Sequence, residues 1–278
     1  MKLSCVITTP EVTREALAVF TGSFEQKLAK ARALGYDGVE LMLRDPSKLN
    51  VDDVRSALNR HGLAVSQIVS GEVFMSDNLA LVHPDDAICE AAMRSVQSII
   101  QFAGALGRGT IVNIGRVRGR LDWLPVDKSV AHARMIKTLQ TVVDYAASYG
   151  VRIALEPCNR YEVDFVQSTR DGLEAAAEVN RPNFGLMLDV FHMNIEDPSI
   201  EDALREARAV LLHVHIADSN RLPPGSGHID FASIVATLRE IGYSGFLSVE
   251  ARPLPDPDTA ARQTIEFMSR LLPGARAV

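Results

Sequence analysis

Short apolar runs, rich in β-branched residues and leucine, alternate along this chain with longer segments of helical period. Eight such runs occur, at residues 3–7, 38–43, 64–69, 110–115, 151–156, 184–189, 211–216 and 246–250. Because strands that alternate with helices form repeated βα units, the pattern predicts a parallel sheet. Eight parallel strands are the number that closes a barrel. The pattern therefore predicts a single-domain α/β fold, a (β/α)8 TIM barrel, over residues 1–278.

The segments between these runs are predicted helices, and several of them stop at a glycine, which often follows a helix C-terminus. The clearest predicted helices are 23–35, 84–107, 126–149 and 231–241. The longest predicted loops after strands are 70–83, 116–125, 157–167 and 217–228. Since the chemistry of such a barrel belongs to the loops after its strands, we expect these loops to surround a functional site.

Four acidic or imidazole side chains each end a predicted strand in the second half of the chain. They are Glu156, Asp189, His215 and Glu250, separated by 33, 26 and 35 positions. One strand and one helix occupy roughly that length, so all four should arrive at the same rim of a barrel. Any one of them alone could be a helix N-cap or a solvated loop residue. Three carboxylates and an imidazole at one rim together predict a divalent-metal site.

The composition of the chain argues against several classes of partner. A formal net charge of −6 and a pI near 5.7 disfavour nucleic acid. The three cysteines are isolated and have no CxxC spacing, which is typical of a reducing compartment and predicts a cytoplasmic location. The N-terminus has no signal-peptide pattern, and no apolar run reaches the roughly 18 residues of a membrane span. We therefore expect no membrane partner.

Several phrases of the sequence resemble a known family. LEPCNRYEVDF, LDVFHMNIED, HIADSNRLPPGSGHIDF and GYSGFLSVEARPLP are similar to the xylose isomerase-like TIM barrel superfamily. Within it they resemble the ketose 3-epimerases, a group that includes tagatose and psicose epimerases. The phrases MKLSCVITT, GYDGVELMLRDPS and IGRVRGR resemble most closely the 5-keto-L-gluconate epimerases of inositol catabolism. The resemblance covers nearly the whole chain.

The resemblance implies a role for each strand-end residue. Glu156, Asp189, His215 and Glu250 match the metal ligands of these epimerases, and the two glutamates also match their acid/base pair. Glu162 matches a position that contacts the substrate or its metal-bound hydroxyl. The expected cofactor is a divalent metal ion, with Mn²⁺ first and Co²⁺, Mg²⁺ or Zn²⁺ also suited to such ligands. The resemblance further implies a homodimer or a homotetramer.

Other residues are predicted to bind the substrate. His192 and Arg221 match the epimerase residues that hold the head of the ketose. Arg44 and Arg118, and also Arg116, follow predicted strands two and four and would lie at the same rim. A guanidinium presents a planar fork of donors that suits a carboxylate, so these arginines are candidates to bind an acidic sugar terminus. For each of them a surface salt bridge is an equally good interpretation.

The predicted reaction is inversion of the carbon next to the ketone of a ketose or keto-sugar acid, specifically 5-keto-L-gluconate to D-tagaturonate. Such a reaction removes a proton on one face of the carbon, passes through an enediolate and returns a proton on the opposite face. One carboxylate on each face suffices, and a divalent ion would neutralise the developing oxyanion. Glu156 and Glu250 are the residues expected to move these protons.

Three alternatives remain open from the sequence. An aldose–ketose isomerase of the hydroxypyruvate or inosose type would share the metal site. An AP-endonuclease-like DNA-repair hydrolase would need more histidine ligands and a phosphate-binding surface. A sugar-sensing barrel without catalysis would not need both glutamates. His213, two residues before His215, is expected to be a satisfied core histidine one layer deeper in the barrel rather than a ligand.

Overall fold

The computed structural model of the chain describes residues 1–13 and 17–272. Eight parallel strands close a barrel in the order in which they occur along the chain. They are β1 (Lys2–Thr8), β2 (Gly38–Met42), β3 (Ala64–Val69), β4 (Ile111–Ile114), β5 (Arg152–Leu155), β6 (Phe184–Asp189), β7 (Leu211–Ile216) and β8 (Phe246–Val249). The predicted (β/α)8 TIM barrel is therefore confirmed. The predicted domain of 1–278 also includes residues 14–16 and 273–278, which lie outside the described residues.

Helices connect the strands and cover the outside of the barrel. They are α1 (Phe24–Ala33), α2 (Val51–His61), α3 (Gly71–Met75), α4 (Asp86–Leu106), α5 (Lys128–Ser148), α6 (Thr169–Val179), α7 (Val190–Glu196), α8 (Ile200–Ala207), α9 (Phe231–Glu240) and α10 (Pro257–Leu271). Short 3-10 turns follow β2 at Pro46–Lys48 and β4 at Arg116–Arg118. Within the described ranges, none of these helices combines the length and apolar character that crossing a membrane requires.

Local sequence explains where several helices begin. Ser23 and Ser168 each form a capping box at the start of α1 and α6. The serine side chain accepts from the backbone N–H of the third helical residue, and the side chain of that residue accepts from the backbone N–H of the serine. α2 ends at Gly62, whose φ of 62° lies in the left-handed region that a glycine adopts without steric cost. The segment 70–83, predicted as a loop, contains the short helix α3, which buries Val73.

Strand register places the ends of the later strands at one level. Asp189 pairs in register with His215, and His215 pairs with Ser248. Glu156 and Glu250 each follow directly after a strand, and their backbone N–H groups extend the ladder to the carbonyls of Ile114 and Ile216 at 3.1 and 3.3 Å. The rim residues are therefore held by the sheet itself.

Candidate active site

The structure brings the four strand-end residues together. One ligand atom from each of Glu156, Asp189, His215 and Glu250 lies within 4.8 Å of those of the other three, and all four residues are buried. Two other ligand groups found among the described residues share members with this cluster; they are Glu40–His213–His215 and Glu156–Cys158–His192. Carboxylate oxygens and an imidazole nitrogen are ligands suited to Mg²⁺, Mn²⁺ or Zn²⁺.

The imidazole of His215 has one nitrogen bonded and the other free within the described structure. Its Nε2 lies 2.8 Å from Oε1 of the buried Glu40. Its Nδ1 is buried without a hydrogen-bond partner and lies 3.4 Å from Oε2 of Glu250. A buried, unpaired nitrogen among carboxylates is costly unless something occupies the space between them. This arrangement fits a divalent cation.

The crowded charges of this cluster shift the pKa values of two of its members. Burial would lower the pKa of His215, but the carboxylates of Glu40 and Glu250 outweigh it and raise that pKa well above its usual value. Burial next to Glu250 raises the pKa of Glu156 to about 8. At neutral pH the Glu156 carboxyl is therefore mostly protonated in the metal-free protein.

The position of the Glu156 carboxylate is set by β4. Asn113 donates from Nδ2 to Oε2 of Glu156 at 3.2 Å. A Cβ added at Gly115 would lie 2.6 Å from that same oxygen, closer than any van der Waals contact allows. Glycine at this position therefore makes room for the carboxylate, while Asn113 orients it.

Asp189 uses its two carboxylate oxygens for different purposes. Oδ1 accepts from the backbone N–H of Phe191 at 2.9 Å and so caps α7. Oδ2 accepts from Nη1 of Arg221 and lies in the ligand cluster. Burial would raise the pKa of Asp189, but Arg221 and His192 outweigh it and hold that pKa below its usual value. The capping interpretation and the ligand interpretation of Asp189 are therefore compatible.

Arg221, predicted to hold the head of the ketose, bridges two carboxylates of the cluster in this structure. Its Nη1 donates to Asp189 and its Nη2 to Oε2 of Glu250. The guanidinium carbon lies 4.6 Å from the centre of the Phe191 ring, so the planar cation stacks on an aromatic face. Its backbone adopts a φ of 61°, which is uncommon for a residue with a side chain.

The buried side chain of Asp218 holds the loop that carries Arg221. Its carboxylate accepts from the backbone N–H groups of Ser219 and Gly225, both at 2.8 Å, and of Ile229 at 3.2 Å. The backbone N–H of Arg221 donates to the carbonyl of Asp218 at 2.8 Å. Asp218 therefore fixes both ends of the segment in which Arg221 lies.

His192 presents one ring nitrogen to the cluster. Its Nδ1 lies 2.7 Å from Nδ2 of Asn159. An amide nitrogen only donates, so Nδ1 accepts and the proton of the neutral ring lies on Nε2. Nε2 is 3.6 Å from Oε1 of Glu156. Asn159 also donates to Oε1 of Glu162 at 3.2 Å, which links two of the predicted substrate residues.

These groups line a cavity of about 450 Å³ at the rim of the barrel. The predicted site residues that line it are Glu156, Glu162, His192, Arg221 and Glu250. Its wall also includes apolar side chains at and after the ends of the first three strands, which are Leu17, Met42, Val69 and Met75. A cavity of this size, lined by both charged and apolar side chains, suits a small polar ligand.

Arg44 does not reach this cavity. It pairs with Asp77, with Nε 3.0 Å from Oδ1, and lines a separate surface depression together with Lys48 and Arg94. The expectation that Arg44 binds the substrate is therefore replaced by a local ion pair. The carboxylate of Asp77, which follows α3, therefore occupies the donors of Arg44 that a substrate carboxylate would need.

Arg118 is fully buried and serves the backbone instead of a ligand. Its Nη1 donates to the carbonyls of Gly115 and Glu156 at 2.8 and 3.0 Å. Its Nε and Nη2 donate to the carbonyl of Phe165, and Nη2 also donates to that of Val166. All of the guanidinium nitrogens are thus engaged, so Arg118 is not placed to bind substrate but holds the end of β5 against the loop after it.

Of the three arginines predicted after strands two and four, Arg116 is the one that lines the cavity. Its guanidinium carbon lies 5.3 Å from the centre of the Phe74 ring, and its Nη1 is 3.7 Å from Oε2 of Glu162. Its Nε is buried without a hydrogen-bond partner within the described structure. The sequence singles out Arg116 only as one of three arginines at the rim, and a third cavity arginine besides Arg116 and Arg221, Arg252, is not anticipated at all.

Other residues of the site carry a weak sequence signal. Asn113 is a polar residue within an apolar strand, and Asn159 and Asp218 lie in loops after strands. Polar residues are common at such positions, so only the geometry identifies these three. His213 is buried with Nε2 2.8 Å from Oε2 of Glu40, which confirms the prediction of a satisfied core histidine.

Comparison with known proteins identifies the class. A family model described as xylose isomerase-like TIM barrel matches residues 28–271, and the chain belongs to this family. A ketose 3-epimerase from Arthrobacter globiformis is 30% identical over 232 residues, covering 82% of this chain and 78% of that protein. A 3-dehydro-D-guloside 4-epimerase from Escherichia coli (strain K12) is 29% identical over 262 residues, covering 90% and 96%.

A solved structure agrees with these relatives. The structure of an L-ribulose 3-epimerase is 26% identical, covers 99% of this chain with 95% of its own length, and has a TM-score of 0.83. The relatives are sugar epimerases, so the predicted membership of the isomerase class and the resemblance to ketose 3-epimerases are confirmed.

Proposed function

We propose that this protein is a metal-dependent epimerase that inverts the carbon next to the ketone of a ketose or keto-sugar acid. The observation that carries the proposal is the four-residue ligand cluster, in which Glu156 and Glu250 follow β5 and β8, two strands that are not neighbours in the barrel. Carboxylates that approach one carbon from two sides are what inversion through an enediolate requires.

The proposed cofactor is a divalent ion, with Mn²⁺ as the first choice, held by Glu156, Asp189, His215 and Glu250. When bound, such an ion would act as a Lewis acid that withdraws charge from the ketone and its neighbouring hydroxyl. The unpaired Nδ1 of His215 and the three clustered carboxylates support this assignment.

Residues of the chain would carry out the proton transfers and bind the substrate oxygens. One of the two glutamates removes the proton from the reacting carbon, and the other returns a proton on the opposite face. His192 donates from Nε2 towards the substrate oxygens, because Asn159 occupies its Nδ1. Arg221 neutralises Asp189 and Glu250 and lies beside the same oxygens. Each positioned proton transfer contributes roughly 10² to 10⁴ in rate.

The proposed substrate is a keto-sugar acid, specifically 5-keto-L-gluconate, with D-tagaturonate as the product. The cavity supports an acidic terminus because Arg116 offers a buried Nε without a partner within the described structure and lies at the looser distance of 3.7 Å from Glu162. We propose that Arg116 takes the role expected for Arg44 and Arg118. A cytoplasmic homodimer or homotetramer completes the proposal.

A substrate panel tests the reaction. Chelator-treated protein, with each metal added back separately, would be incubated with neutral ketoses and with keto-uronates in heavy water, and the products analysed by NMR. We expect inversion next to the ketone together with deuterium incorporation at that carbon. A product whose carbonyl has moved would indicate an aldose–ketose isomerase instead.

Two variants test the proton-transfer roles. Glu156→Gln and Glu250→Gln proteins, each shown to retain metal by elemental analysis, should lose exchange of the substrate proton with heavy water. If either variant exchanged that proton at the wild-type rate, the glutamate concerned would not be part of the acid/base pair.

A further inference from the structure

The interior of the barrel beneath the ligand cluster contains a further carboxylate that is not one of the four predicted ligands. Glu40 lies on β2, is fully buried, and has each of its oxygens against a different imidazole. Oε1 is 2.8 Å from Nε2 of His215, and Oε2 is 2.8 Å from Nε2 of His213. Gln67 adds a further donor to Oε1 at 3.3 Å.

This geometry decides which nitrogen of His215 faces the cavity. An ionised carboxylate only accepts hydrogen bonds, so Nε2 of both histidines must donate to Glu40. The lone pair available for a cation is then on Nδ1 of His215, the nitrogen that is buried and unpaired 3.4 Å from Glu250. Glu40 thus determines the tautomer of this ligand.

The same contact fixes the orientation of the ring. A half-turn of the imidazole would place a carbon against Glu40 and another carbon in the ligand cluster, so both interactions would be lost together. Glu40 is in turn held between His213 and His215, whose rings meet edge to face at 5.5 Å. If His215 moved and the Glu40 carboxylate moved with it, His213 would lose its hydrogen-bond partner in the core.

We propose that Glu40 is a positioning residue that makes His215 bind the metal ion through Nδ1 and thereby sets the affinity of the site. The proposal rests on the proposed function only in assuming that a divalent ion binds at the cluster. Outer carboxylates that orient a histidine ligand typically contribute about 10- to 100-fold in metal affinity. We therefore expect Glu40→Gln to weaken metal binding by about that factor.

The first experiment measures metal affinity without any substrate. Mn²⁺ and Zn²⁺ dissociation constants would be determined by competition with a chromogenic chelator for wild type, Glu40→Gln, Glu40→Asp and Glu72→Gln. Glu72 is a matched control, because it is also a buried glutamate and it lines the active-site cavity. Its carboxylate accepts from the hydroxyl of Ser76 and not from a metal-binding residue. We expect weaker binding for both Glu40 variants and wild-type affinity for Glu72→Gln. Wild-type affinity in the Glu40 variants, or an equal loss in Glu72→Gln, would overturn the proposal.

The second experiment needs no variant and so does not depend on whether Glu40→Gln folds. Nitrogen-15 NMR of the imidazoles in the zinc-loaded protein reports which ring nitrogen of His215 carries a proton. We expect a protonated Nε2 and an unprotonated, metal-bound Nδ1. A proton on Nδ1 would overturn the proposal. Neither experiment uses a sugar, so a protein that binds metal as described but epimerises nothing would refute the proposed function alone.

Discussion

Glu156→Gln should remove a pH dependence from the stability of the metal-free protein. Burial beside Glu250 raises the pKa of Glu156 from 4.5 to about 8 in the folded state. A group whose pKa is raised by folding contributes stability that is fully present below its unfolded pKa and is lost as pH rises through the folded pKa. The metal-free protein should therefore lose stability as the pH rises from 5 towards 8. Glutamine has no such proton to lose.

The size of the effect follows from the two pKa values. Each pH unit between them changes the free energy of unfolding by about 1.4 kcal/mol. Between pH 6 and pH 9 the contribution of Glu156 amounts to about 3 kcal/mol, because the loss levels off above the folded pKa of about 8. The residue is only 8% exposed, so solvent screens little of this effect.

Urea titrations followed by circular dichroism, on chelator-treated protein at pH 6, 7, 8 and 9, measure this contribution. His215 also has a raised pKa and acts in the same direction, so the informative quantity is the difference between wild type and Glu156→Gln. We expect the variant to gain about 3 kcal/mol relative to wild type across this range. Parallel curves for wild type and Glu156→Gln would refute a raised pKa at Glu156.

Three further substitutions test the supports of the site. Gly115→Ala should displace the Glu156 carboxylate, because the new Cβ would lie 2.6 Å from its Oε2, and metal affinity measured by chelator competition should fall. Arg118→Met should lower the free energy of unfolding by about 3 kcal/mol or more, since buried backbone carbonyls lose their donors, and a urea titration checks this. Asp218→Ala should raise KM for the substrate more than it lowers kcat, because the Arg221 loop loses three backbone hydrogen bonds; an unchanged KM would contradict a positioning role.

Most of the fold could be predicted from the sequence because strand and helix periods differ strongly. A run such as 184–189 has no polar residue before its final Asp189 and is buried in the structure, as both faces of a barrel strand require. The helix α3 was not anticipated, because five residues are too few to establish a helical period. Its formation depends on tertiary contacts such as the burial of Val73.

The ligand cluster could be predicted because one strand end per βα unit reaches a common rim. The arginines could not be assigned in the same way, because a long flexible side chain can reach partners several residues away. Arg44 pairs with Asp77, Arg118 donates to backbone carbonyls, and Arg116 lines the cavity. Only three-dimensional distances distinguish these three arrangements. Sequence position alone therefore identifies the rim but not the direction of each guanidinium.

The aromatic wall behind Arg116 gives the protein an optical reporter. The single tryptophan of the chain, Trp123, stacks on Phe74 with ring centres 6.2 Å apart. The guanidinium of Arg116, which lines the cavity, contacts the same Phe74 ring. Any ligand that draws Arg116 away from Phe74 alters the surroundings of the one indole. Intrinsic fluorescence should therefore record occupancy of this end of the cavity without a label, and independently of turnover.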